Sequence, residues 1–121
     1  MIISSEKELS CGVDIEEISR FSKIDIDKNK FFFEKVFTRN EMDYCFSKKN
    51  PAQHLAVRFA GKEAIIKAIA RFKKNPPFFN QIEILNNAEG LPIVNINNFE
   101  VKVSLSHCKD KAIAFAIIKG A

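Results

Sequence analysis

Glu63 and Lys67 stand one helical turn apart in the stretch Arg58-Phe59-Ala60-Gly61-Lys62-Glu63-Ala64-Ile65-Ile66-Lys67-Ala68, whose other members are mostly apolar. Wound at about 100° per residue, Leu55, Phe59, Ile66, Ile69 and Ala70 fall on one side of a helix, and Val57, Gly61, Ile65, Ala68 and Phe72 cover most of the other. A helix that is apolar nearly all round is a buried one. The two charges are left in a narrow stripe with Ala56, Ala60 and Arg71, where the alanines leave room for a subunit or a cofactor. One explanation of the pair is structural, an i,i+4 contact worth about 0.2–0.5 kcal/mol on an exposed face. The other is chemical: a carboxylate that holds a cation or takes a proton, beside an ammonium that neutralises an anion.

Two further groups suit the chemical explanation. Asp14 lies at the end of an alternating run, and with Glu63 it offers two carboxylates to a magnesium ion. Magnesium takes one or two carboxylates and fills its octahedron with water and substrate phosphate, so Lys67 is placed to neutralise a phosphate oxygen. Ser104, Ser106 and His107 end a second alternating run and supply hydroxyl and imidazole donors for another phosphate. Thr38 and Glu41 have the spacing of a capping box, for which a structural role is sufficient. His54 reads as a surface or satisfied core histidine.

The elements that must position these groups follow from periodicity. Residues 10–15 alternate as a half-buried strand, with Cys11, Val13 and Ile15 toward the core and Asp14 on the opposite face. A short helix over 16–21, carrying Arg20 and leading to Lys23, comes next. Residues 24–30 are loop-like, and Phe31, Phe32, Phe33, Val36 and Phe37 form an aromatic core cluster. The capping box opens a helix that turns Met42, Cys45 and Phe46 inward. Pro51 suits the first turn of the long helix, and residues 71–77 stop it with Arg71, Lys73, Lys74 and two prolines. Gly61 costs that helix about 1 kcal/mol against alanine, which points to close packing or to a ligand near the backbone. A hairpin over 82–96 turns at 87–90. Strands 101–106 and 112–118 follow, the second with an alanine face on which the long helix can lie. The expected fold class is α+β, an antiparallel sheet packed on a long central helix, in one domain over residues 1–121.

Composition bounds the partners. The 121 residues, 46% hydrophobic and 28% charged, describe one folded domain. Residues 1–8 lack a basic segment leading into a long apolar run, and residues 112–118 are too few to span a bilayer. No membrane association and a cytoplasmic location are therefore expected. Cys11, Cys45 and Cys108 are scattered and odd in number, so reduced thiols are expected, at least two of them buried. A net charge of +4 favours an anionic partner without choosing which.

Taken together, the motifs resemble those of the holo-acyl-carrier-protein synthases, the small single-domain class of 4′-phosphopantetheinyl transferases. Gly12-Val13-Asp14 is similar to the family's G-x-D strand, and Phe37-Thr38 with Glu41 and Tyr44 to the helix start that follows. Phe59-Ala60-Gly61-Lys62-Glu63-Ala64 with Lys67-Ala68 resembles its F-A-A-K-E-A-x-x-K-A helix, and Ser104-Leu105-Ser106-His107 its S-x-S-H strand end. Four motifs in order, over nearly the whole chain, make the resemblance specific.

The resemblance implies transfer of phosphopantetheine from coenzyme A to a serine of an apo acyl carrier protein, with release of adenosine 3′,5′-bisphosphate. It implies that Asp14 and Glu63 bind Mg2+, that Lys67 stabilises developing charge, and that Glu63 or a metal-bound water is the base. Lys62 either snorkels or reaches the cofactor phosphates, and Ser106 and His107 hold the adenosine end at its 3′-phosphate. It also implies a homotrimer with sites between subunits. Carrier proteins of this kind are acidic, and Arg20 and Lys23 are the expected contacts. Two departures stand out: Gly61 replaces an alanine, and residues 71–80 lack the family's glycine-containing loop, so Lys73 and Lys74 are left to contact the cofactor. Rival readings are a basic RNA-binding module, stacking bases on Phe72, Phe78 and Phe79 beside those lysines, and a magnesium-dependent nucleotide-binding relative without transfer activity.

Overall fold

Helix α4 (Pro51–Ala70) starts with Pro51 in its first turn and is the core of the fold. The computed structural model describes residues 8–72 and 75–120; Lys73 and Lys74 lie outside the described residues, as do residues 1–7 and their expected lack of a leader. Before α4 come β1 (Leu9–Glu17), α1 (Ile18–Ser22), α2 (Lys30–Val36) and α3 (Arg39–Phe46). After it come a 3-10 turn (Phe79–Gln81), β2 (Glu83–Asn86), β3 (Pro92–Asn95), β4 (Glu100–His107) and β5 (Lys111–Lys119). The strands form an antiparallel sheet in the order β1-β5-β4 and a separate β2-β3 hairpin. The α+β class expected from the sequence is the one observed.

Small residues set the depth of the contact between α4 and the sheet. Ala112, Ala114 and Ala116 of β5 are buried against the helix, and a Cβ on Gly12 would run into the Ala64 carbonyl oxygen. Strand β1 is therefore pressed onto α4 at Gly12. Gly61 has the same kind of explanation on the far side of the helix: a Cβ there would lie 2.7 Å from Ile84 Cδ1, so close packing accounts for it.

Several expectations change at the level of faces. On β1 it is Ser10, Gly12, Asp14 and Glu16 that face the helix, while Val13 and Ile15 are 51% and 58% exposed. Alternation alone told which residues share a face, not which face is covered. Asp14 thus points toward α4, opposite to the sequence reading. Glu16 belongs to the strand and not to the next helix, because its backbone pairs with Ala112 of β5. Ala56 and Ala60 lie at 0% exposure inside the core and admit neither a subunit nor a cofactor. Of the three cysteines only Cys45 is buried; Cys11 and Cys108 are exposed. Phe31, in α2, and Phe46 are also exposed.

Candidate active site

Asp14 is two residues beyond Gly12 on the helix-facing side of β1, so the tight strand-to-helix seam delivers it directly to α4. Its Oδ1 accepts a hydrogen bond from Lys67 Nζ at 2.9 Å, and Lys67 also donates to the Val13 carbonyl oxygen at 3.1 Å. The bond to Asp14 raises the Lys67 pKa above its ordinary value. Lys67 is therefore paired with the strand and not, as the i,i+4 spacing suggested, with Glu63. Asp14 Oδ2 is buried without a hydrogen-bond partner.

Glu63 sits beside this pair. Burial is the main cause that raises its pKa, followed by the charges of Asp14 and Glu16. No hydrogen bond or ion pair to its carboxylate is found among the described residues. An orphaned buried oxygen on Asp14 and an unpartnered carboxylate on Glu63, both hard oxygen donors, suit a small hard cation. No three His, Cys, Asp or Glu side chains among the described residues are grouped closely enough to hold a metal by themselves. Such a cation would keep positions for water and substrate.

Lys62 lies elsewhere. Its side chain is fully buried, and its ammonium donates to Glu41 Oε1 at 2.6 Å, to the Val36 carbonyl at 2.7 Å and to the Phe79 carbonyl at 3.0 Å. Burial lowers its pKa, and Glu41 opposes that shift. All three protons are engaged, so in this arrangement the ammonium offers none to a phosphate. Glu41 completes the capping box with Thr38 and also accepts from the Ile84 N–H at 2.7 Å, tying α3, α4 and β2 together.

The S-x-S-H end of β4 divides between two faces. His107 pairs across β5 with Ala112, which in turn pairs with Glu16, so these residues share the helix side of the sheet, Glu16 and His107 two strand spacings apart, about 10 Å. Ser104 and Ser106 are opposite Phe115 and Ile113, on the side away from α4. The sequence placed Ser106 and His107 at one subsite; within a single chain they face opposite ways.

A cationic cluster that the sequence reading passed over lies near His107. The Tyr44 ring has the Arg58 guanidinium 4.5 Å and the Lys48 ammonium 4.6 Å from its centre, and the His54 ring meets it edge-on at 5.8 Å. Burial lowers the His54 pKa, with further contributions from Arg58, Lys48 and His107. The available signal was the i,i+4 spacing of His54 and Arg58 on a helix. Of the three rings in the RNA reading, Phe79 stacks on Phe59 at 5.4 Å and Phe72 packs against Phe99, which leaves Phe78 as the exposed one.

The profile of the 4′-phosphopantetheinyl transferase superfamily matches residues 10–117 of this chain. The chain belongs to that superfamily. Among curated 4′-phosphopantetheinyl transferases, a holo-[acyl-carrier-protein] synthase of Thermodesulfovibrio yellowstonii is 45% identical over 109 residues, covering 88% of this chain and 95% of that one. The holo-[acyl-carrier-protein] synthase of Protochlamydia amoebophila is 39% identical, covering 90% and 96%. A Bacillus anthracis holo-(acyl-carrier-protein) synthase in complex with CoA (3′,5′-ADP) superposes with a TM-score of 0.75 at 28% identity, covering 93% of this chain and 96% of that one. The Helicobacter pylori synthase in complex with coenzyme A gives 0.75 at 26%, covering 89% and 98%. The transferase fold and the seam that carries Asp14, Glu63 and Lys67 thus come from the same two elements, β1 and α4.

Proposed function

We propose that this chain is a holo-acyl-carrier-protein synthase, transferring the 4′-phosphopantetheine group of coenzyme A to a serine of an apo acyl carrier protein. The convergence of Asp14, Glu63 and Lys67 on one seam carries the reading, because displacement at phosphorus is catalysed mainly by positioning and charge neutralisation. Asp14 and Glu63 are the residues that would hold Mg2+, which when bound supplies positive charge to the pyrophosphate. Lys67 adds the charge of its ammonium to the phosphoryl oxygens. The serine oxygen forms the new bond to phosphorus as the bond to the adenosine 3′,5′-bisphosphate oxygen breaks, and Glu63 takes the serine proton.

Lys48 and Arg58 bring positive charge near the nucleotide end of the cofactor, where His107 offers an imidazole donor. A groove of about 610 Å³ runs between α1 and the start of α4, with Phe21, Ile24 and Leu55 on its wall and Lys49 and Lys109 at its rim, and offers room for an elongated anionic substrate. Arg20 and Lys23 are the proposed contacts for the acidic carrier.

The outer sheet face supports assembly into a homotrimer. Val13, Ile15, Ile113, Phe115 and Ile117 stand exposed together on β1 and β5, and a contiguous apolar face of this kind suits contact with another copy. Ser106 lies on this face and would reach a cofactor held between copies. No helix among the described residues is long and apolar enough to cross a membrane. Exposed, unpaired Cys11 and Cys108 fit a reducing compartment, and the cytoplasm is the proposed location.

The decisive experiment mixes the protein with coenzyme A, Mg2+ and an apo carrier, and weighs the carrier by mass spectrometry. Addition of phosphopantetheine is expected, abolished by chelation and by Glu63→Gln. No added mass on a carrier that another synthase modifies overturns the proposal.

A further inference from the structure

The cations around Tyr44 have no anion of their own among the described residues. Arg58 is 2% exposed, and its guanidinium donates only to neutral acceptors: Nε to the Ile84 carbonyl at 3.0 Å, Nη1 to the His54 carbonyl at 3.3 Å and Nη2 to Asn86 Oδ1 at 2.5 Å. Neither Arg58 nor Lys48 forms an ion pair with a described carboxylate. Buried charges are ordinarily paired, so a cation left unanswered in this way suits an anion that arrives from outside.

Both cations rest on one ring. The Tyr44 centre lies 4.5 Å from the Arg58 guanidinium, supplied by α4, and 4.6 Å from the Lys48 ammonium, supplied by the turn after α3. The two are held differently. Arg58 keeps its place through its three hydrogen bonds, whereas Lys48 is exposed and the ring is the one group its ammonium engages among the described residues. An aromatic face attracts a cation, and here it offsets the repulsion between two like charges. Packing alone would ask of Tyr44 an apolar side chain against the core; it would not ask for a ring with a cation from each of two elements.

Resting on the reading that the chain binds coenzyme A, we propose that Tyr44 is a positioning residue that fixes Lys48 beside Arg58 for the 3′-phosphate, and so sets the preference for coenzyme A over its 3′-dephospho form. The pyrophosphate is assigned to the seam of Asp14, Glu63 and Lys67, which leaves the 3′-phosphate for this cluster. A terminal phosphate carries a charge of about −1.5 to −2 at neutral pH, matched by two cations. Without the ring, the Lys48 ammonium moves in water like that of any exposed lysine, and ordering it again when the phosphate binds weakens the complex.

Calorimetry on the full chain, with Mg2+ and no carrier, compares coenzyme A with 3′-dephospho-coenzyme A. The parent is expected to prefer coenzyme A. Tyr44→Leu should raise the coenzyme A dissociation constant about tenfold, the scale of a desolvated cation–ring contact, and leave that of the dephospho form within about twofold. Tyr44→Phe keeps the ring and should behave as the parent. Lys48→Gln, an exposed substitution, should lose the same preference, and adding Tyr44→Leu to it should weaken binding no further, because the ring acts through the ammonium. A role in packing alone would instead lower the melting temperature and weaken both ligands together. Equal losses for the two ligands in Tyr44→Leu overturn the proposal, as do a Tyr44→Phe loss as large as that of Tyr44→Leu, an unchanged preference in Lys48→Gln, or additive losses in the double variant. A parent that binds both ligands equally overturns it too, while the transfer reading stands; a parent that binds neither removes that reading, and this inference with it.

Discussion

Lys67 reaches across to Asp14, Nζ to Oδ1 at 2.9 Å, and in doing so leaves Glu63, its neighbour one turn back on α4, without an ion-pair partner among the described residues. The pair spans the seam between β1 and α4 and is partly open to water. Its value is chemical more than structural, since exposed ion pairs contribute little to stability. Lys67→Met is therefore expected to leave the urea midpoint nearly unchanged while lowering kcat for carrier modification by roughly 10²–10³-fold, the usual effect of deleting one charge-stabilising group. A stopped assay weighing the modified carrier, alongside a denaturation curve, separates the two effects.

Lys62 gives the opposite expectation. Its ammonium and the Glu41 carboxylate are both fully buried, and removing one partner of such a pair costs about 3–5 kcal/mol because the other charge is stranded. Lys62→Met should lower unfolding free energy by that amount, and adding Glu41→Gln should restore part of it. Coenzyme A affinity of the folded fraction should stay within about threefold. A stable Lys62→Met protein that no longer binds coenzyme A would return Lys62 to the cofactor site.

Glu83 sets an acid limit on the hairpin. Its pKa is lowered, first by the hydrogen bond from Thr38 Oγ1 at 2.6 Å and also by those from Asn95 and Asn40. A carboxylate depressed in the folded state stabilises fully above its unfolded value near 4.5 and loses that contribution as pH falls through the lower folded value. Glu83→Gln should be less stable than the parent at neutral pH, and the difference should shrink on acidification below about pH 4.5. Melting temperatures from pH 7 to pH 3 read this directly.

Phe115 is the central apolar side chain of the bare sheet face, 45% exposed and flanked by Val13 and Ser104 on the neighbouring strands. Phe115→Asp places a charge where copies are proposed to meet. Sedimentation should then show a folded monomer in place of the proposed trimer, with carrier modification lost alongside. A protein that sediments as a monomer before the substitution would remove the assembly reading.

The two elements that bring Asp14, Glu63 and Lys67 together were legible in the sequence, and what was not legible has identifiable causes. Thr38 and Glu41 disclosed their capping box because it is local, completed within four residues. Asp14 stood out as a candidate site residue but was assigned to the wrong side of β1. Alternation of Cys11, Val13 and Ile15 looks the same whether the apolar face meets a helix or another copy of the chain. The sequence left Lys62 open between a snorkelling side chain and a phosphate contact because its partners, Glu41 and the Val36 and Phe79 carbonyls, come from 17 to 26 positions away. The cluster of Tyr44, Lys48, His54 and Arg58 drew no notice, since it joins the α3 end of one helix pair to the start of α4 across a loop.

Among the described residues, strand β1, which carries Asp14, has a single neighbour in its sheet, β5, about a hundred positions later in the chain. During synthesis the segment bearing Asp14 leaves the ribosome first and must wait for residues 111–119 before its backbone ladder can close. Until then only its contacts with α4 hold it: Gly12 against Ala64, the Ser10 hydroxyl on the Ala68 carbonyl, and Lys67 on Asp14 and the Val13 carbonyl. A nascent chain arrested before β5 should accordingly be catalytically silent even with Glu63 and Lys67 already in helix, and release of the final strand should switch activity on in one step.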